Sequence, residues 1–158
     1  MSNATYGLVF DVDGVLADTE SLIATATAAM FEKLYGVSMQ PGDFTPFIGT
    51  GAVRYVEGPA EKYGVTIDID AALAERHDQF VARLQDGRDI AFPGARELIA
   101  AAAADPQWRL ALATSSPGEK SRETLKAARI APGDFEAWVH GDMITHKKPH
   151  PEIYLKAA

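Results

Sequence analysis

The chain of 158 residues contains no cysteine, so disulfide bonds, thiolate nucleophiles and thiolate metal ligands are all excluded. Basic residues are too few for a partner held through nucleic-acid phosphates, because 15 lysines and arginines stand against 22 aspartates and glutamates, a net charge of -7. No apolar run approaches the roughly 20 residues of a membrane span, and no apolar secretory segment lies near residue 1. We therefore expect a cytoplasmic protein with no nucleic-acid partner and no membrane partner.

What the sequence does contain is an apolar run, from Gly7 to Phe10, that leads into two carboxylates. A run without polar alternation is typical of a strand covered on both faces, as in a parallel sheet, whose ligand sites lie at the carboxyl ends of its strands. Asp11 and Asp13 follow that end. Because residues two apart in an extended segment point the same way, both carboxylates are predicted to face one small volume. Gly14 then permits a sharp turn.

The remaining chain shows a block of helical patterns and then an alternation of helices and strands. Strands are predicted over 109–113 and 135–140, helices over about 19–36, 52–63, 70–84, 95–104 and 119–128, and a last helix after Pro151. This order predicts an α/β fold: a Rossmann-like parallel sheet in three layers (α/β/α), with a helical cap inserted after strand one. We expect a discontinuous catalytic core of residues 5–18 and 91–158 and a cap domain of residues 19–90.

Polar residues follow each predicted strand. Asp11 and Asp13 follow the first, the segment Thr114 to Ser116 follows the second, and Lys148 lies beyond the third, just before a helix. Carboxylates bind Mg²⁺, and a metal together with a lysine offsets charge on phosphoryl oxygens while hydroxyls donate hydrogen bonds. Two carboxylates at one strand end can also divide the work of nucleophile and proton donor. The set therefore favours phosphoryl chemistry beside a hard cation.

Three of these segments together resemble the first three motifs of the haloacid dehalogenase superfamily, most closely its β-phosphoglucomutase-like branch. They are Asp11 to Thr19, Ala113 to Ser116 and Lys148 to Tyr154, in the order and spacing of the family. The resemblance spans nearly the whole chain and includes a helical insert where that branch carries its cap. It implies a Mg²⁺-dependent phosphatase of a small phosphorylated metabolite, such as a sugar phosphate, that works through an aspartyl-phosphate intermediate.

The resemblance also implies roles for individual residues. Asp11 would attack phosphorus, and Asp13 would protonate the leaving oxygen and later activate water. Thr114 and Lys148 would hold the transferring group, and the metal would take a carboxylate oxygen of Asp11 and the backbone carbonyl of Asp13. The expected substrate-binding residues, on core loops and on a cap loop, are Gly14, Thr19, Gly49, Thr50, Arg54, Ser115 and Ser116.

Two departures from the family leave alternatives open. The acidic pair of the fourth motif is absent before Ala158, so we expect a natural protein that is longer, with C-terminal strands missing here and strand one left as an open edge. An inactive phosphate-binding fragment is therefore one alternative. A sugar phosphomutase is the other, although Ile23 stands where β-phosphoglucomutases place a histidine. For the full-length protein we expect a monomer.

The histidines and a second lysine near the third motif have simpler interpretations. Lys147 is interpreted as a solvated neighbour of the motif lysine. His140, His146 and His150 suggest metal ligation, but prolines on both sides of His150 break any helical spacing, and no acidic partner has a fixed position. We therefore do not predict a histidine metal site.

Overall fold

The computed structural model of the protein describes residues 5–146 and 148–158, so the prediction for Lys147 lies outside the described residues. The chain divides into two compact units. One runs to Thr19 and resumes over Asp89–Ala158, and the other is Glu20–Arg88.

The first unit is built on a parallel sheet of three strands: β1 (Tyr6–Phe10), β2 (Trp108–Ala113) and β3 (Ala137–Val139), in the order β1-β2-β3. Parallel neighbours need crossover connections, and the helices α4 (Ala95–Ala103) and α5 (Gly118–Ala127) precede β2 and β3. The last four residues of β2 are buried, as expected for a central parallel strand. These features confirm the predicted fold class, and β1 is an edge strand within the described part of the sheet.

One apolar cluster of this unit lies where β2 and β3 meet the last helix, α6 (Glu152–Ala157). Ile153 and Ala157, four residues apart and so on one face of the helix, pack with alanines of β2 and with Val139 of β3. Ile153 is fully buried, and burial of such a side chain contributes about 1.5–3 kcal/mol. This packing anchors the chain directly after Lys148.

The second unit is helical, as predicted. It contains α1 (Thr19–Tyr35), α2 (Ala52–Tyr63) and α3 (Ile69–Leu84), and its core includes the stacked rings of Phe31, Phe44 and Tyr55, with centroids 6.4 and 5.6 Å apart. Between α1 and α2, the segment Pro41–Phe47 forms a 3₁₀ helix, because the fixed φ of proline is compatible with that helix. In the described ranges, no helix has the length and apolar character needed to cross a membrane.

The two chain segments that enter and leave the helical insert run side by side within the first unit. Ala17 and Ala91 form an isolated antiparallel bridge, and the Asp18 N–H donates to the Ile90 carbonyl at 2.8 Å. Backbone hydrogen bonds therefore join the two segments next to the helical insert.

The C-terminus of α5 carries a left-handed residue that is not glycine. Arg129 has φ 54°, and its N–H donates to the Lys126 carbonyl at 3.0 Å, while the Ile130 N–H donates to the Leu125 carbonyl at 2.9 Å. These are the two bonds of a Schellman cap, in which glycine usually occupies the left-handed position. Arg129 therefore holds a backbone conformation that costs energy for any residue with a Cβ.

Candidate active site

Asp11 lies one residue beyond β1 and forms an ion pair with Lys148, which lies on the loop before α6. Its Oδ1 accepts the Val12 N–H at 2.9 Å, and its Oδ2 forms a 2.8 Å ion pair with Lys148 Nζ. The same Nζ donates to the Ala113 carbonyl at 3.0 Å, so Lys148 joins the ends of β1 and β2. The Asp11 side chain stays 32% exposed, which leaves it accessible to a ligand.

Asp13 is held by the loop after β2 and by the first turn of α5. Its Oδ2 accepts hydrogen bonds from Ser116 Oγ at 2.7 Å and Thr114 Oγ1 at 3.3 Å, and its Oδ1 pairs with Lys120 Nζ at 3.2 Å. Burial alone would raise the pKa of Asp13, but the charge of Lys120 and the Ser116 hydrogen bond outweigh it and hold the pKa below the ordinary 3.8. The free site therefore favours the ionised carboxylate.

Backbone contacts fix the loops that follow β2 and β3 against each other. The Thr114 N–H donates to the Val139 carbonyl at 3.1 Å, and the Gly141 N–H donates to the Ser116 carbonyl at 2.8 Å. A Cβ on Gly141 would overlap the carbonyl oxygen of Ser115, so glycine allows this close approach. The loops can therefore present their polar groups at one end of the sheet.

The predicted core residues meet around the two carboxylates, but they differ in exposure. Thr114 is 1% exposed, and its hydroxyl also accepts the Ser116 N–H at 3.1 Å, so it organises the loop as well as binding Asp13. Thr19 is fully buried at the start of α1. Gly14 has φ 73°, and its N–H donates to the Ala17 carbonyl at 2.9 Å, which closes the turn after Asp13.

Lys120 is a site residue that the sequence pattern did not indicate. In a sequence, a lysine in the first turn of a polar helix is typical of a solvated helix surface. Its Nζ instead donates to Ser116 Oγ at 3.1 Å as well as pairing with Asp13. A signal was present, because Lys120 follows Ser116 by four residues, the spacing at which side chains meet along a helix.

The three residues predicted on the cap loop lie in the helical unit. Gly49 has φ 80°, and Thr50 Oγ1 donates to the Phe47 carbonyl at 2.7 Å. Arg54 forms a 2.7 Å ion pair with Glu61, and its guanidinium lies 5.5 Å from the Phe47 ring centroid. Both partners of Arg54 therefore belong to the helical unit, and substrate binding by these residues stays a prediction.

The carboxylates of Asp11 and Asp13 fit a magnesium ion by their chemistry. Mg²⁺ takes oxygen ligands and often uses one or two carboxylates together with substrate phosphate and water. Among the residues that the structure describes, no third acidic or histidine side chain joins these two in a metal-binding group. The donor set is thus all oxygen, which suits Mg²⁺ and not a softer ion.

A different group of metal-ligating side chains does converge. His146, His150 and Glu152 place donor atoms within 4.8 Å of one another. Helical spacing is not needed to bring the two histidines together, because the ring centroids of His146 and His150 are 4.6 Å apart. The acidic partner that the sequence did not reveal is Glu152.

Comparison with known proteins gives matches over most of the chain. The family described as haloacid dehalogenase-like hydrolase matches residues 8–158. A phosphorylated carbohydrates phosphatase of Thermotoga maritima is 30% identical over 94% of this chain. The chloroplastic protein SUPPRESSOR OF QUENCHING 1 of Arabidopsis thaliana is 35% identical over 96% of it. A crystal structure of a Thermotoga maritima protein named "putative beta-phosphoglucomutase" superposes with a TM-score of 0.80 at 27% identity, over 97% of this chain and 69% of that one.

The similarity covers only part of each relative. The chain spans 67% of the length of the Thermotoga phosphatase and 14% of the length of the Arabidopsis protein. These matches confirm the predicted family and its β-phosphoglucomutase-like branch. They also confirm the class of enzyme, a hydrolase with relatives named as phosphatases.

Proposed function

Because the chain belongs to the haloacid dehalogenase-like hydrolase family, we propose that it provides the catalytic residues of a phosphatase that acts on a small phosphorylated metabolite, such as a sugar phosphate. The observation that carries the proposal is the Asp11 carboxylate, held by Lys148 at 2.8 Å and still accessible, next to a second carboxylate in a polar pocket of hydroxyls and a lysine. A phosphatase of phosphorylated carbohydrates among the relatives supports the substrate class.

In the first step, an Asp11 oxygen attacks phosphorus, the bond from phosphorus to the ester oxygen breaks, and an aspartyl phosphate forms. Lys148 orients the Asp11 carboxylate and offsets negative charge on the phosphoryl oxygens. The negative charge of a bound phosphate ester favours the protonated form of Asp13, which is ionised in the free site. Protonated Asp13 gives its proton to the leaving oxygen, so the product leaves as an alcohol.

In the second step, water attacks the aspartyl phosphate and inorganic phosphate leaves. Asp13, now ionised, accepts the proton of that water and so returns to the acid form. The Lys120 and Ser116 contacts stabilise the ionised state that this half-reaction needs. Asp13 thus serves first as acid and then as base.

A bound Mg²⁺, held by an Asp11 carboxylate oxygen and the Asp13 backbone carbonyl, would supply positive charge that stabilises the phosphoryl oxygens. The accessible carboxylate of Asp11 is the observation that supports this assignment. The cytoplasmic location and the monomeric state stay predictions from the sequence.

The test is hydrolysis of an aryl phosphate, with and without Mg²⁺, by a version of the chain extended to the length of its phosphatase relatives. D11N should abolish phosphate release, and D78N, on the exposed surface of α3, should leave it unchanged. Undiminished turnover by D11N would refute the proposal. The 158-residue chain is assayed in parallel, since binding of phosphate without turnover would identify it as a phosphate-binding fragment.

The same protein also tests the mutase alternative, which the similarity to the Thermotoga maritima crystal structure favours. A mutase would transfer phosphate from a sugar bisphosphate to a sugar monophosphate faster than it releases phosphate to water. We expect the opposite ranking, because Ile23 offers no polar group at the position where the sequence resemblance places a histidine in mutases.

A further inference from the structure

Three side chains with metal-ligating atoms meet on the loop between the 3₁₀ helix Gly141–Met143 and α6. His146 Nδ1 lies 3.0 Å from Glu152 Oε2, and the rings of His146 and His150 are 4.6 Å apart. We propose that His146, His150 and Glu152 form a binding site for a divalent transition-metal ion, with Zn²⁺ as the best match. The site uses none of the residues assigned to phosphoryl transfer, so it stands independently of the proposed function.

The chemistry of the donors favours Zn²⁺ over Mg²⁺. Two imidazole nitrogens and one carboxylate oxygen are a usual protein ligand set for zinc, with a fourth position left for water. Magnesium prefers oxygen ligands throughout. Tetrahedral zinc with bonds near 2.0 Å needs donor atoms about 3.3 Å apart. The donor atoms of the three side chains lie up to 4.8 Å apart, so zinc binding requires the imidazole rings to rotate. The exposure of His146 and His150 permits this rotation.

The carboxylate of this group is already oriented. Glu152 Oε1 accepts the Thr145 N–H at 3.0 Å, and Oε2 accepts the His146 N–H at 2.8 Å. These backbone donors, together with Lys156, lower the pKa of Glu152 to about 2. A charged ligand thus lies fixed beside two exposed imidazoles, which reduces the ordering needed on metal binding.

Two contacts oppose metal binding and limit its strength. His150 Nδ1 accepts the Glu152 N–H at 3.2 Å. This bond is lost if Nδ1 itself ligates the metal. It is also lost if Nε2 ligates the metal, because Nδ1 then carries the proton of the neutral ring. Lys156 Nζ lies 3.0 Å from Glu152 Oε1 and adds an adjacent positive charge. Lys156 has a second partner, the Met143 carbonyl at 2.6 Å, that it can keep when Glu152 binds metal.

The position of the site in the chain means that a bound metal would restrain the loop that carries Lys148. His146 comes two residues before Lys148 and His150 two residues after it. A metal bound by both imidazoles would therefore tie together the two sides of the loop that presents Lys148 to Asp11.

The experiment measures Zn²⁺ binding to the full chain by equilibrium dialysis, with excess Mg²⁺ present to fill oxygen-only sites. H146Q and H150Q should each weaken Zn²⁺ binding by at least about tenfold, because even the loss of a group that hydrogen-bonds to a metal ligand lowers metal affinity by that factor. H77Q, an exposed histidine of α3, is the matched control and should bind as the unmodified chain does. K156Q should tighten binding, because it removes the neighbouring positive charge.

Co²⁺ provides a second readout on the unmodified protein, in case a variant fails to fold. A tetrahedral Co²⁺ absorption band that Zn²⁺ abolishes would support the site. Equal Zn²⁺ binding by the H146Q/H150Q double variant and the unmodified chain would overturn the proposal. Absence of both stoichiometric Zn²⁺ binding and the Co²⁺ band would also overturn it, and would leave Glu152 with only the role of holding the loop.

Discussion

Replacement of Gly141 by alanine tests whether the close packing of the loops after β2 and β3 assembles the candidate site. A Cβ there would overlap the Ser115 carbonyl oxygen and lie 3.1 Å from the Ser116 carbonyl oxygen. Both groups are backbone atoms, so neither can move away by rotation of a side chain. Relief requires the loops to separate, and the Gly141 N–H bond to Ser116, now 2.8 Å, would lengthen.

The expected loss of stability follows from the cost of overpacking. Insertion of a methyl group into a tightly packed site typically costs about 1–3 kcal/mol. For a chain of this size, each kcal/mol lowers the melting temperature by about 2–4 °C, so G141A should melt about 2–12 °C lower. Gly133, in the 3₁₀ helix Pro132–Asp134, is the matched control: a Cβ there meets no atom within 4 Å. G133A should leave stability unchanged or raise it by up to about 1 kcal/mol.

Tryptophan fluorescence during urea unfolding is the appropriate assay. The chain has two tryptophans, Trp108 on β2 and Trp138 on β3, so the signal reports the unit that contains the site. G141A should lower the urea midpoint, and G133A should not. Equal midpoints for the two variants would refute the reasoning, because they would show that the loops accept a methyl group at no cost.

Two further predictions concern stability. R129G should stabilise the first unit by about 1 kcal/mol. Glycine relieves about 1–2 kcal/mol of left-handed strain, and its greater unfolded-state entropy costs only about 0.4–1 kcal/mol. An unchanged urea midpoint would contradict this. In the helical unit, hydrogen bonds from Lys62 and Tyr63 lower the pKa of Asp43 to about 2. The ionised Asp43 therefore stabilises the folded state above its ordinary pKa of 3.8, and this contribution is lost as the pH falls toward 2. Circular dichroism should show D43N less stable at neutral pH, with the gap to the unmodified chain narrowing as the pH falls from about 4 to about 2; a constant gap would contradict the assignment.

Much of the candidate site was predictable because its residues follow strands. A buried parallel strand is recognisable from its apolar run, and whatever follows it must lie at one end of the sheet. Asp11, Asp13 and Ser116 are placed in this way, and Lys148 reaches the same end from the loop before α6. The helix boundaries also agreed with local signals, as at Gly64, whose φ of 66° ends α2.

Other features needed the tertiary structure, because they depend on which side chains meet across loops without a regular period. Lys120 has the sequence context of a solvated helix residue, yet it pairs with Asp13. The meeting of His146, His150 and Glu152 likewise depends on the path of a loop interrupted by two prolines.

The sequence by itself determined the order of strands and helices and the chemical types at the strand ends, since both follow from local periodicity and from the geometry of a parallel sheet. Only the tertiary structure decided how those groups are paired: Asp11 with Lys148, and Asp13 with Ser116 and Lys120. The physical reason is that ion pairs and hydrogen bonds depend on distances of about 3 Å, and loop conformation sets such distances between residues far apart in the chain.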